Sequence, residues 1–120
     1  MKTEQSKEDY LETILMLSQK KEYVRAIDIA NFLNYSRASV SVAMKLLKQE
    51  GLIEINNNHI TLTKDGLLIA SKVYDRHTTL TNFLVSIGVN RETAEQDACL
   101  IEHIISQETF LKLKKFMKSR

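Results

Sequence analysis

Proline and tryptophan are absent from the 120 residues of this chain, and glycine occurs only three times. A sandwich of short strands needs proline and glycine at its many turns, so their scarcity points to long helices. The single cysteine excludes an intramolecular disulfide and a zinc finger built on two or four cysteines. No uncharged apolar run approaches the roughly 20 residues that cross a bilayer, so no membrane partner is expected. The first ten residues, MKTEQSKEDY, hold no apolar signal core, and the expected compartment is the cytoplasm. Hydrophobic residues make up 43% of the chain, enough for a core, and 27% of residues are charged. The length fits one domain or two small lobes.

The net charge of +2 says little, but its distribution is uneven. Residues 36–48 (SRASVSVAMKLLK) hold Arg37, Lys45 and Lys48 with no acid. From residue 111 onward, Lys112, Lys114, Lys115, Lys118 and Arg120 also stand without one. A local basic stripe on a near-neutral chain is either a phosphate-docking surface or a solvated helix face.

Apolar periodicity orders the elements. Tyr10, Ile14 and Leu17 form one stripe in a helix over 6–20, where Ser6 and Asp9 have the spacing of a capping box. Residues 26–33 form a short helix with Ile27, Ala30 and Phe32 or Leu33 apolar, and Asn34-Tyr35 a turn. Ser36 caps a third helix that runs to about Glu50, with Val40, Met44 and Leu47 on one face and Gly51 as its stop. The period then changes to two. Leu52, Ile53 and Ile55, then Ile60 and Leu62, flank the polar tip 56–59 of a β-hairpin. A long helix follows to about Ile87, with Leu67, Ala70, Val73, His77, Leu80 and Leu84 near one face. Gly88 stops it, Asn90 caps a helix over 91–105, and Ser106 caps the last, about 107–118. The fold class is mainly α: an N-terminal winged helix-turn-helix over 1–63, then a helical region over 64–120.

Helix, turn, helix and hairpin is an order that places one helix in a DNA major groove, its N-terminal residues toward the base edges. Ser36, Arg37, Ser39 and Ser41 occupy that end of the third helix, and Lys45 lies further along within reach of a phosphate. The hairpin tip, with Asn57, faces the adjacent backbone or minor groove. The plainer alternative is a three-helix core with a hairpin attached.

A second group of residues points to metal. Cys99, Glu102 and His103 stand at i, i+3 and i+4 on one expected helix and so share a face. Asp9 and Glu12 are three apart on the first helix, and His77 sits in the long one. Thiolate, imidazole and carboxylate are the usual ligands of divalent transition metals. Each residue also has an ordinary role. Asp9 can complete a cap, Cys99 can fill a core, and Glu102 and His103 can be solvated.

The runs EDYLETILML (8–17), YVRAIDIANFLNYSRASVSVAMKLLKQEGLIE (23–54), ITLTKDG (60–66), RHTTLTNFLVSIGV (76–89) and IEHIIS (101–106) resemble the diphtheria-toxin-repressor/manganese-transport-regulator family. Most specific is DRH at 75–77 followed by CLIEH at 99–103. The resemblance implies a metal-activated repressor, a homodimer on double-stranded, palindromic operator DNA, with Mn(2+) or Fe(2+) as corepressor and no enzymatic activity. Carried over by position, it implies metal ligands at Asp9, Glu12, His77, Cys99, Glu102 and His103. Asp9 and Glu12 look like the manganese-responsive branch, while Cys99 looks like the iron-responsive one. Thr81 and Glu95 stand where the iron-responsive branch has an accessory glutamate and histidine. The apolar residues Leu80, Phe83, Leu84, Ile87, Leu100, Ile104 and Ile105 exceed one thin lobe's needs, and some are expected in a dimer interface. The rival reading is a winged-helix regulator indifferent to metal. An enzyme is disfavoured, because no glycine-rich oxyanion or nucleotide loop accompanies Cys99 and His103.

Overall fold

A computed structural model describes residues 4–119. Its elements are α1 (Glu4–Ser18), α2 (Ala26–Leu33), α3 (Arg37–Gln49), β1 (Ile53–Asn56), β2 (His59–Leu62), α4 (Lys64–Ser86), α5 (Arg91–Ile101) and α6 (Gln107–Lys118). They form two compact units that meet between Ser71 and Lys72, inside α4. Among the described residues no helix is long and apolar enough to cross a membrane.

The first unit holds a core drawn from every one of its elements: Tyr10, Leu11, Ile14 and Leu17 of α1, Ile29 and Ala30 of α2, Val40, Ala43, Met44 and Leu47 of α3, Ile53 and Ile60 of the hairpin, and Ala70 of α4. The α1 and α3 stripes are those the period predicts. The α2 stripe is shifted. Ile29 is fully buried and Phe32 is exposed, because the short helix turns its 29–30 face inward. The expected cap at Ser6 is also displaced: α1 is already under way at Glu4, so Ser6 lies inside its first turn. Leu67, expected on the inner face of α4, is exposed.

Chain reversals in this unit are set by specific residues. Ser36 accepts the Ser39 N–H at 3.1 Å and starts α3. At its end Gly51 takes φ 77°, its N–H bonds Lys48 O at 3.1 Å and the Leu52 N–H bonds Leu47 O at 3.0 Å. That pair of bonds is a Schellman ending, which needs a residue free to enter the left-handed region. The hairpin is antiparallel, with Ile53 opposite Leu62 and Ile55 opposite Ile60. Asn57 and Asn58 both have positive φ (53° and 66°), as a two-residue type I′ turn requires. The Ile60 N–H also donates to Val24 O at 2.7 Å, tying the wing to the segment before α2. Thr63 then caps α4, its hydroxyl donating to Gly51 O at 2.7 Å and accepting the Gly66 N–H at 3.2 Å.

In the second unit Val73, Leu80, Ala94, Ala98 and Phe110 are buried. Asn90 caps α5 by accepting the Glu92 N–H at 2.9 Å, and Ser106 caps α6 by accepting the Thr109 N–H at 3.1 Å. The expectation of a helix over 91–105 is corrected: α5 ends at Ile101, with Glu102 as its C-cap, and 102–104 form a turn. Of the apolar surplus, Leu80 is buried within this unit, while Ile87, Leu100 and Ile104 are exposed.

Two stability predictions follow from the first unit. A Cβ added at Gly66 would collide with the Leu52 carbonyl oxygen, a backbone atom that cannot swing aside. Gly66→Ala is therefore expected to destabilise by about 1–3 kcal/mol despite alanine's better helix propensity, read as a lower urea midpoint. Asp28 accepts the Lys21 ammonium at 2.6 Å and the Arg25 N–H at 2.9 Å, and the Lys21 bond holds its carboxyl below the ordinary 3.8. A carboxyl shifted down stabilises fully above its unfolded value, and that contribution is lost as pH falls through the folded one. Thermal melts of the native chain and Asp28→Asn should differ at neutral pH and converge in strong acid. An acid-independent gap would remove Asp28's charge from the account.

Candidate metal centre and nucleic-acid interface

Three of the six residues expected to bind metal converge within the second unit. Ligand atoms of His77 on α4, Cys99 on α5 and Glu102 at the end of α5 all lie within 4.8 Å of one another. His77 Nδ1 is 3.3 Å from Glu102 Oε1. Cys99 is exposed, His77 half-buried, and Glu102 only 1% exposed. Glu102 Oε2 is buried with no hydrogen-bond partner. A carboxylate withdrawn from water with one oxygen unused is costly unless a cation completes its surroundings. An imidazole nitrogen, a thiol sulfur and an orphaned carboxylate oxygen form the mixed N, S, O set that divalent transition metals take. The residues present therefore fit such an ion.

The remaining three expected ligands are placed differently. His103 is half-buried in the turn after α5 and lies outside the 4.8 Å group. Asp9 and Glu12 belong to α1 of the first unit, where Asp9 is half-buried and Glu12 is 6% exposed. At the accessory positions, Thr81 is buried with its hydroxyl lacking a hydrogen-bond partner, and Glu95 is an exposed residue facing Arg91 at 4.0 Å.

Arg76 is a residue that sequence reasoning passed over. Its guanidinium donates to Glu102 O at 3.1 Å, to Ile105 O at 3.0 Å and to Gln107 Oε1 at 2.7 Å, and stands 5.4 Å over the Phe110 ring. The DRH motif brought attention to His77, and the arginine beside it carried no periodic or ligand signal of its own.

In the first unit all six residues expected to meet DNA are exposed: Ser36, Arg37, Ser39, Ser41, Lys45 and Asn57. They are not equivalent. The Ser36 hydroxyl caps α3 and also donates to Ser39 Oγ at 2.9 Å, so these two hydroxyls are engaged locally. Arg37, Ser41 and Lys45 line a cleft of about 550 Å³ between α3 and the wing, together with Arg25 and Asn58. Arg25 and Asn58 were missed, because Arg25 precedes α2 in a loop and only the turn geometry distinguishes Asn58 from Asn57. The cleft carries three cations and no acid, the electrostatic character of a phosphate-binding face.

Residues 2–59 match the profile described as iron dependent repressor, N-terminal DNA binding domain, and residues 63–120 match iron dependent repressor, metal binding and dimerisation domain. An uncharacterised HTH-type transcriptional regulator of Methanocaldococcus jannaschii is 36% identical over 117 residues, covering 95% of this chain and 94% of that protein. The HTH-type transcriptional regulator MntR of Bacillus subtilis is 40% identical over 105 residues, covering 87% of this chain and 74% of its own length. Among solved structures, T. acidophilum IdeR superposes with a TM-score of 0.83 at 28% identity, and the manganese regulator SloR with 0.82 at 30%. These cover 98% and 95% of this chain, which spans about half of each solved chain (55% and 54%).

Cobalt(II) provides a direct check on the three converging side chains. Titration should give thiolate-to-metal absorption in the near ultraviolet, and Cys99→Ser should abolish that band. Glu102→Ala, which removes the orphaned oxygen, should weaken cobalt binding by at least roughly 100-fold, the upper end of the usual effect of losing an outer-sphere partner. Unchanged titrations for both variants would exclude this cluster as a metal site.

Proposed function

Since the chain belongs to the diphtheria-toxin-repressor/manganese-transport-regulator family, we propose that it is a metal-dependent transcriptional repressor that binds operator DNA as a homodimer and controls metal uptake. Repressors of this family are not enzymes. The observation that carries the reading is the buried, half-satisfied Glu102 carboxylate beside His77 and Cys99, in a chain that also presents an acid-free cationic cleft on a winged helix. We assign DNA binding to residues 1–63, and dimerisation and metal binding to 64–120. A repressor acts where the chromosome is, so the cytoplasm is its place of work.

His77, Cys99 and Glu102 would hold a divalent cation, Mn(2+) or Fe(2+). The family pattern adds His103, Asp9 and Glu12 as ligands, an assignment that rests on sequence position. A cation held there would supply positive charge that offsets the charge of the buried Glu102 carboxylate and would tie the end of α5 to His77 on α4. On the DNA side, Arg37 and Lys45 are assigned to phosphates and base edges. Ser36 and Ser39 hold the N-terminus of α3 in shape, and Ser41 offers a hydroxyl to the groove. Asn57 is assigned to the DNA flanking the groove, alongside the wing. A narrower range of wing spacings in the loaded dimer favours two half-sites one helical turn apart. Linkage then requires DNA to raise metal affinity by the factor by which metal raises DNA affinity.

Fluorescence anisotropy with duplexes from DNA upstream of metal-uptake genes tests this. Binding should appear with manganese or ferrous iron and vanish with chelator. Binding indifferent to chelator would leave a metal-independent regulator as the better account. Arg37→Ala and Lys45→Ala should each weaken binding, and a lost phosphate contact should reduce the salt slope by about one. For the dimer, Leu100→Asp combined with Ile104→Asp, two residues 66% and 79% exposed, should shift sedimentation equilibrium toward monomer. An unchanged dimer would move the interface elsewhere.

A further inference from the structure

The end of α5 poses a backbone problem. The helix stops at Ile101, and the chain must turn within four residues before Ser106 opens α6. Inside the turn, the Ile104 and Ile105 N–H groups both bond Ile101 O, at 3.0 and 2.9 Å. The carbonyls of Glu102 and Ile105, at the two ends of the turn, are taken by a side chain from another helix. Arg76 Nη1 donates to both, at 3.1 and 3.0 Å, while Nη2 donates to Gln107 Oε1 in the first turn of α6 at 2.7 Å.

This arrangement is more than a loop staple. Arg76 Nε is buried without a hydrogen-bond partner, so the guanidinium sits at a cost that a simple apolar contact would avoid. Phe110 covers its face at 5.4 Å, and Lys114, paired with Asp75 at 2.6 Å, lies 5.8 Å from the same ring. The three acceptors are spread over residues 102, 105 and 107, and the planar fork reaches all of them from one side chain. The clamped segment carries the cluster's only buried carboxylate, and His77 follows Arg76 directly in α4. One residue therefore fixes the backbone of Glu102 relative to the helix that supplies the imidazole.

We infer that Arg76 is a positioning residue for the metal centre, holding the 102–105 turn so that the Glu102 carboxylate meets His77 and Cys99, and tying that turn to the start of α6. The inference rests on the reading of this cluster as a metal site. It also gives metal occupancy a route to α6, because Gln107 shares the same guanidinium. Loss of a residue beyond the ligand sphere that orients a ligand typically costs about 10- to 100-fold in metal affinity.

The test is a cobalt(II) titration of the native chain, Arg76→Lys, Glu102→Gln and the double variant, with metal-free melts to confirm folding. Lysine keeps the charge and loses the fork. Arg76→Lys is expected to weaken cobalt binding by roughly 10- to 100-fold. It should keep the thiolate band, since Cys99 stays on α5, and alter the d–d bands as the carboxylate shifts. In the Glu102→Gln background the same change should cost less than about twofold, because it acts through Glu102. An equal loss in both backgrounds would reduce Arg76 to a general structural role, and native affinity in a folded Arg76→Lys chain would overturn the inference outright. Should Arg76→Lys not fold, Gln107→Ala decides: weaker cobalt binding supports the clamp, and native affinity overturns it. A native chain with no thiolate band removes the metal centre itself, a failure visible before any variant is compared.

Discussion

A single buried carboxylate governs the second unit. Glu102 has one oxygen 3.3 Å from His77 Nδ1 and one with no hydrogen-bond partner, in a residue 1% exposed. Keeping an acid there requires close helices, and α5 provides them with Ala94 and Ala98, both fully buried, at the turns before it. α5 ends one residue before it, so Glu102 is the helix's C-cap. An isosteric apolar side chain would be easier to bury there, so the acid is a cost to stability.

The first unit solves a different problem with different means. Its buried residues are mainly apolar, Glu12 and Thr13 of α1 excepted, and its reversals are fixed by backbone chemistry: a serine cap, a left-handed glycine and a two-asparagine turn. These devices leave the side chains around the cleft free to serve recognition. Arg37, Lys45 and Arg25 face solvent and line the cleft. Structural and proposed recognition roles overlap at the start of α3, where Ser36 and Ser39 bond to each other, and at the hairpin turn, where Asn57 and Asn58 take positive φ.

Much of this was legible in the sequence because period and punctuation agree. The Val40, Met44, Leu47 stripe, Gly51, the change to alternation after Leu52 and the capping residues Ser36, Asn90 and Ser106 each name their element. The winged helix followed from them, and the family resemblance followed from the motifs. What failed was local. The period over 91–105 carried on past Ile101 because nothing in EHIIS breaks a helix, whereas α5 ends at Ile101 and the Glu102 carbonyl after it accepts from Arg76, twenty-six residues earlier in the chain. The three-residue spacing of Cys99 and Glu102 did bring them together, beside His77. In α2, eight residues are too few for an apolar stripe to identify its inner face, so Ile29 was overlooked.

The close approach of Gly66 to the Leu52 carbonyl has a genetic consequence. Every codon change that alters this residue introduces at least a methyl group where a backbone oxygen already sits. A screen for loss of repression would therefore recover position 66 alongside ligand and DNA-contact positions. Its alleles would be distinguished by low protein abundance, and they would be suppressible by stabilising changes elsewhere in the first unit, which alleles at the metal centre would not be.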